Sequence, residues 1–96
     1  MTATIEISHT ERDDRGRYWT ETPGGEAELI YRLAGAGKIV IASTFVPREA
    51  RGGGVAYALV KRAIDDARDA GRSIGSTCSY VDVLLERNPE WRALRA

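Results

Sequence analysis

The chain has 96 residues, with 14 lysines and arginines against 14 aspartates and glutamates, one histidine, one cysteine and ten glycines. That length leaves room for one small core in a single domain, and the balanced charge excludes the bulk basicity of a nonspecific nucleic-acid binder. A lone cysteine excludes both an intrachain disulfide and a Cys-based metal centre. No run approaches the ~18 consecutive apolar residues of a membrane span, and the N-terminus has neither the cationic nor the apolar region of a signal peptide. The expectation is a cytoplasmic protein, monomeric or weakly dimeric, with no membrane or nucleic-acid partner.

Residues 4–8 alternate around Ile5 and Ile7 and predict an opening strand, followed by a charged turn over 11–17 with Asp14, Arg15 and Gly16 at its tip. Pro23, Gly24 and Gly25 mark a turn, so 17–22 and 26–33 form an antiparallel pair. In the second of these strands Ala27, Leu29, Tyr31 and Leu33 share one face, the pattern of a sheet covered on one side. Another turn falls at 35–37. Residues 38–46 are the most β-prone and apolar run, which places them at the sheet centre.

Pro47 ends that strand, and from 55 to 70 the spacing becomes helical. Val55, Ala56, Leu59, Val60, Ala63, Ile64 and Ala67 form the apolar stripe, Lys61–Asp65 and Arg62–Asp66 a solvated face, and Gly71 the C-terminal stop. A short strand over 73–78 follows, then a helical turn or two over 82–87. A last helical piece, 90–94, is anchored by Trp91 and Leu94. This order predicts an α+β fold: a mostly antiparallel sheet with one long amphipathic helix after a glycine loop.

That loop, Arg51-Gly52-Gly53-Gly54-Val55-Ala56, joins the most hydrophobic strand to the long helix. A helix N-terminus presents unpaired N–H groups, and glycines ahead of it let backbone amides curl round a phosphate. The run reads either as such a cradle, with Arg51 at its mouth, or as a plain linker. No Gly-Lys-Ser/Thr follows, so it is not a P-loop, and no Gly-x-Gly-x-x-Gly is present. Cys78, the lone cysteine, has polar neighbours in Ser76, Thr77, Ser79 and Tyr80. It reads either as a small buried hydrophobe or as a nucleophile needing a lowered pKa. Glu28, Glu49 and Tyr80 are the candidate acid–base groups, Tyr80 first because it follows Cys78 closely, while His9 reads as a strand or surface residue.

Arg51, Gly54 and Ala56, with these flanks, resemble the Arg/Gln-x-x-Gly-x-Gly/Ala signature of the GNAT N-acetyltransferase superfamily. Thr44-Phe45-Val46-Pro47, the Cys78-Ser79-Tyr80-Val81 segment and Arg87-Asn88-Pro89-Glu90-Trp91 are similar to its small single-domain YjdJ-like branch. Ser43 and Thr77 depart from that branch, which carries a histidine and a proline there. The resemblance implies a minimal acetyl-CoA-dependent N-acetyltransferase acting on an amine acceptor, which could be a small molecule such as a polyamine or a protein lysine. It implies coenzyme A binding by Thr44, Phe45, Val46, Arg51, Gly52, Gly53, Gly54, Val55 and Ala56, with Asn88 nearby, and catalysis by Cys78 and Tyr80. The near-neutral composition argues against a strongly charged acceptor. The competing expectation is a non-catalytic acyl-CoA-binding or protein-interaction module on the same fold.

Overall fold

A computed structural model describes residues 6–35 and 37–95. Strands β1 (Ser8–Arg12), β2 (Arg15–Thr22), β3 (Gly25–Leu33) and β4 (Lys38–Phe45) lead through a 3-10 turn, Arg48–Ala50, into helix α1 (Val55–Asp69). Strand β5 (Ser73–Ser76) and the short helices α2 (Ser79–Arg87) and α3 (Pro89–Arg92) complete the order. All five strands form one sheet in chain order, antiparallel from β1 to β4, with β5 parallel to β4 through the α1 crossover. The expected α+β architecture is the observed one.

Alternation decides what each strand buries. Tyr18, Ala27, Leu29, Tyr31, Ile39 and Ile41 point to one face, where Leu59, Val60, Ala63, Ile64 and Ala67 of α1 cover them. Ile74, Val81, Leu85 and Trp91 extend this core past the β5 edge. The helix ends as its sequence predicts. Gly71 takes a left-handed φ of 72°, Arg72 N–H donates to Ala67 O at 2.8 Å, and Gly71 N–H donates to Arg68 O at 3.1 Å.

Three expectations need correction. The first described strand is Ser8–Arg12 rather than 4–8, of which residues 4 and 5 lie outside the described residues, as does Ala36 of the turn at 35–37. Its five side chains are all exposed, so no hydrophobic alternation announces it; a tight turn at Asp13, with φ 58°, pairs it with β2. The sheet centre is β3, and β4 lies between it and the short parallel β5. Finally, the segment predicted as one or two helical turns from 82 is a nine-residue helix starting at Ser79, and the strand before it stops at Ser76.

Side-chain bonds hold the exposed β1 edge. The His9 ring stacks on Tyr18, 4.0 Å between centroids, and its Nε2 lies 2.7 Å from the Tyr31 hydroxyl. Tyr31 donates to Glu11 Oε1 at 2.6 Å, and Arg72 grips both Glu11 oxygens at 2.7 and 3.1 Å. Tyr18 donates to Asp66, which also accepts from Arg62 at i,i+4. The Arg62–Asp66 pair therefore belongs to this cluster, whereas Lys61–Asp65 forms on the solvated face as expected. Gly16 makes the arrangement possible, because a Cβ there would fall 2.0 Å from Tyr31 Cζ.

Two outcomes follow for stability. Gly16→Ala is expected to cost about 1–3 kcal/mol through forced displacement of the Tyr31 ring, read as a lower midpoint of urea unfolding. The Arg72 and Tyr31 hydrogen bonds hold the Glu11 carboxyl at about 2, below its ordinary 4.5. A carboxylate depressed on folding stabilises the protein above its unfolded pKa and loses that contribution as pH falls through the folded one. Melting temperature should therefore fall from about pH 4.5 towards 2, and Glu11→Gln should flatten that limb; parallel profiles for the two proteins would refute the assignment.

Candidate active site

The site begins with an interruption. The β3–β4 register shifts between Ile30 and Tyr31, leaving Ala42 as the extra residue of a bulge, and the β4–β5 pairing ends at Ile41 opposite Ser76. The last link is Thr77 N–H to Ile41 O at 3.0 Å. Bulges bend and re-aim a strand. Beyond this one, residues 43–45 remain paired to β3 on one side only, and on the other no strand accompanies them among the described residues.

Cys78 stands at that gap, in extended conformation, as the residue preceding α2. Ser76 pins it: the hydroxyl accepts from Cys78 N–H at 2.9 Å and donates to Cys78 O at 3.0 Å. The sulfur lies 3.7 Å from Thr44 Oγ1 across the gap. Burial pushes the thiol pKa up, but the N–H groups of Val81 and Tyr80 in the first turn of α2, with the hydroxyl and N–H of Thr44, outweigh it, and the net shift is downward. Tyr80 is displaced the other way: burial, the nearby Tyr57 and the Cys78 sulfur raise its phenol, which keeps its proton.

The glycine loop forms the second part. Gly52 and Gly54 adopt φ of 86° and 81°, and an added Cβ would meet nothing within 4 Å at either. Their requirement is therefore conformational, set by the left-handed backbone rather than by neighbouring atoms. Gly54 occupies the N-cap of α1 without a capping side chain, the first turn carries no acidic residue, and the first bond of the helix runs from Ala58 N–H to Gly54 O. The amides of Val55, Ala56 and Tyr57 accordingly present an uncompensated positive pole. A hollow of about 270 Å³ opens against them, walled by Val46, Arg51, Gly52 and Tyr80.

The structure thus brings Val46, Arg51, Gly52, Gly54, Val55, Ala56 and Tyr80 to one hollow, and Thr44 to Cys78. Arg51 donates its Nε to Val46 O at 3.2 Å, folding back on its own loop. Gly53 instead lines a larger cleft of about 880 Å³ on the other side of the loop. Phe45 pairs with Glu28, so its side chain lies on the sheet face opposite α1, 53% exposed. Asn88 does not line the hollow; its backbone carbonyl accepts the Trp91 and Arg92 N–H groups at the start of α3. Of the other acid–base candidates, Glu28 is held by Arg17 at 2.7 Å and Glu49 faces the larger cleft. Sequence reasoning missed Tyr57, which lines the hollow and stacks on Trp91 at 5.6 Å. The available signal was an aromatic on the polar side of an amphipathic helix.

Comparison with known proteins bears on the family and the fold. The family model described as GCN5-related N-acetyl-transferase matches residues 17–94. The solution structure of a GCN5-like protein from Staphylococcus aureus superposes with a TM-score of 0.74 at 24% identity, covering 99% of this chain and 91% of its own. The crystal structure of nourseothricin acetyltransferase gives 0.54 at 23% identity, with 64% of this chain covering 38% of that larger one. At these identities the two structures speak for the fold, and the family match speaks for the lineage. Matched over most of its length, the chain belongs to the GCN5-related N-acetyltransferase family.

Proposed function

We propose that this chain is an acetyl-CoA-dependent N-acetyltransferase that passes the acetyl group through Cys78 to an amine. The observation that carries this reading is the Cys78 sulfur, turned towards the free stretch of β4 and surrounded by N–H and O–H donors that lower its pKa. The residues fit the donor substrate. The open amides of Val55, Ala56 and Tyr57, the left-handed Gly52 and Gly54, and Arg51 suit its pyrophosphate. The unpaired edge of Thr44, Phe45 and Val46 suits an extended amide-bearing arm, which would lead from the loop to the cysteine.

Acetyl-CoA supplies the acetyl group as a thioester. The Cys78 thiolate forms the bond to the carbonyl carbon while the bond to the coenzyme A sulfur breaks, and the departing thiolate takes its proton from the Tyr80 phenol, which lines the hollow. An amine that has lost its ammonium proton to solvent then attacks the acetyl-cysteine; the amide forms as the carbon–sulfur bond breaks to restore the Cys78 thiolate, and the surplus amine proton returns to the Tyr80 phenolate. Among the described residues no carboxylate or imidazole bonds to Cys78 or Tyr80, which is the one observation favouring a binder that turns nothing over.

Intact-protein mass spectrometry after incubation with acetyl-CoA decides between them: the transferase gains one acetyl group, and Cys78→Ala gains none. Wild-type protein that binds acetyl-CoA without acquiring the group or acetylating an added amine would leave only the binder. Gly54→Glu places a carboxylate at the positive pole in a strained conformation and should abolish the thermal shift given by acetyl-CoA. At 100 times Kd that shift corresponds to about 2.7 kcal/mol of stabilisation. Thr44→Val removes one donor to the sulfur, so the pH midpoint of iodoacetamide alkylation at Cys78 should rise; an unchanged midpoint would remove Thr44 from the activation.

A further inference from the structure

Helix α1 covers one face of the sheet; over the other face of β1 to β4 no element packs among the described residues. Strand register sets the side chains of that open face in rows running across the strands. Arg12, Arg15 and Arg32, all exposed, stand directly opposite one another in one row, which continues to Val40. Towards the glycine loop, Glu21 stands opposite Glu26, and Glu28 lies between Trp19 and Phe45. Ile30 sits between the two ends.

Like charges directly opposite across strands repel, and a face kept only for water intersperses its signs. Here the signs are segregated, about 13–20 Å apart along β3. Little within the chain offsets the basic row. Every acidic side chain lies in the described residues, yet none pairs with Arg12 or Arg32, and Arg15 has only Asp14, at 3.8 Å. At the acidic end Arg17 bridges Glu26 and Glu28, both at 2.7 Å, and covers the Trp19 ring at 4.7 Å, while Glu21 forms no ion pair among the described residues. Phe45, 53% exposed, is left open beside them.

We propose that this face docks on a second copy of the chain, forming a two-fold, sheet-on-sheet dimer. A half-turn about an axis lying between the two faces and crossing the strands near Ile30 lays the arginine row of each copy over the glutamates of the other. It also lays the apolar middle of the face on itself, so one patch serves both partners. A polyanion would meet the glutamates and a polycation the arginines; a partner of reversed polarity satisfies both ends, and a second copy is such a partner. Four strands about 4.8 Å apart present roughly 20 by 20 Å per copy. That is the low end for a specific interface, so the dimer is reversible. Thr44 points the other way, towards Cys78, so the docked face leaves the candidate active site open.

Sedimentation velocity of the full chain tests the dimer, whose fraction should rise between about 10 µM and 1 mM and fall in high salt. Arg15→Glu/Arg32→Glu and Glu21→Arg/Glu26→Arg alter exposed positions, and each should weaken self-association about tenfold or more. Mixed in equal amounts, the two variants should associate with each other, because each reversed end meets its complement. Arg92→Glu, exposed on α3, should associate as the wild type does. A chain that stays monomeric, even one whose arginine row binds an acidic peptide instead, overturns the proposal. So does self-association that survives either reversal, or folded variants that fail to associate when mixed. Should a variant not fold, wild-type amide shifts on dilution decide: changes at 12, 15, 21, 30, 32 and 45 support the dimer, and changes confined elsewhere overturn it.

Discussion

The candidate site in this molecule depends on where β4 stops pairing with β5. A parallel pair that continued past Ile41 would satisfy the backbone of residues 43–46 and bring Cys78 into a ladder, leaving no gap. The bulge at Ala42 prevents this by adding one residue on β4 while β3 keeps its count. From that single mismatch follow the free strand edge, the turn at Thr77 and the start of α2 beside Thr44. The short β5 is thus a consequence of the opening, and its core side chain, Ile74, is held from the other side by Ile74 N–H donating to Leu94 O at 2.8 Å.

The opening has to be kept from spreading, and the opposite side of the sheet shows how. The β1 edge buries none of its side chains, so it contributes little apolar stabilisation, and the His9, Tyr31, Glu11 and Arg72 bonds tie it to β3 and to the end of α1. A polar clamp of this kind is directional where a hydrophobic contact is not, and it fixes register. In so short a chain, α1 must cover strands on both sides of β3, and its alanines at 63 and 67 let it approach closely enough to do so.

Legibility followed the range of the interactions. The glycine loop, α1 and its stop at Gly71 were readable because helical spacing and left-handed glycines are local signals. The paired strands β2 and β3 were readable because they alternate across a marked turn. By contrast, β1 was misplaced because its pairing is decided by the Asp13 turn and by side chains sixty residues away, such as Arg72. The surroundings of Cys78 were equally hidden. Its donors come from Thr44, 34 positions earlier, and from a helix start that carries no capping side chain to announce it. Phe45 and Asn88 show the converse: a motif marks them, and only the pairing register and the α3 start reveal which way each is directed.

The zero net charge was the most misleading number in the sequence, because it averages two poles that the fold keeps apart. On one side of the loop, the uncapped amides of α1 form a positive pole with no acidic side chain in the first turn. On the other, Glu6, Glu21 and Glu49 line an open cleft, and Arg51, the one cation lining it among the described residues, is bonded to the loop backbone. The two hollows share Arg51 and Val55, so a formal charge of zero conceals opposite potentials on the two sides of one loop.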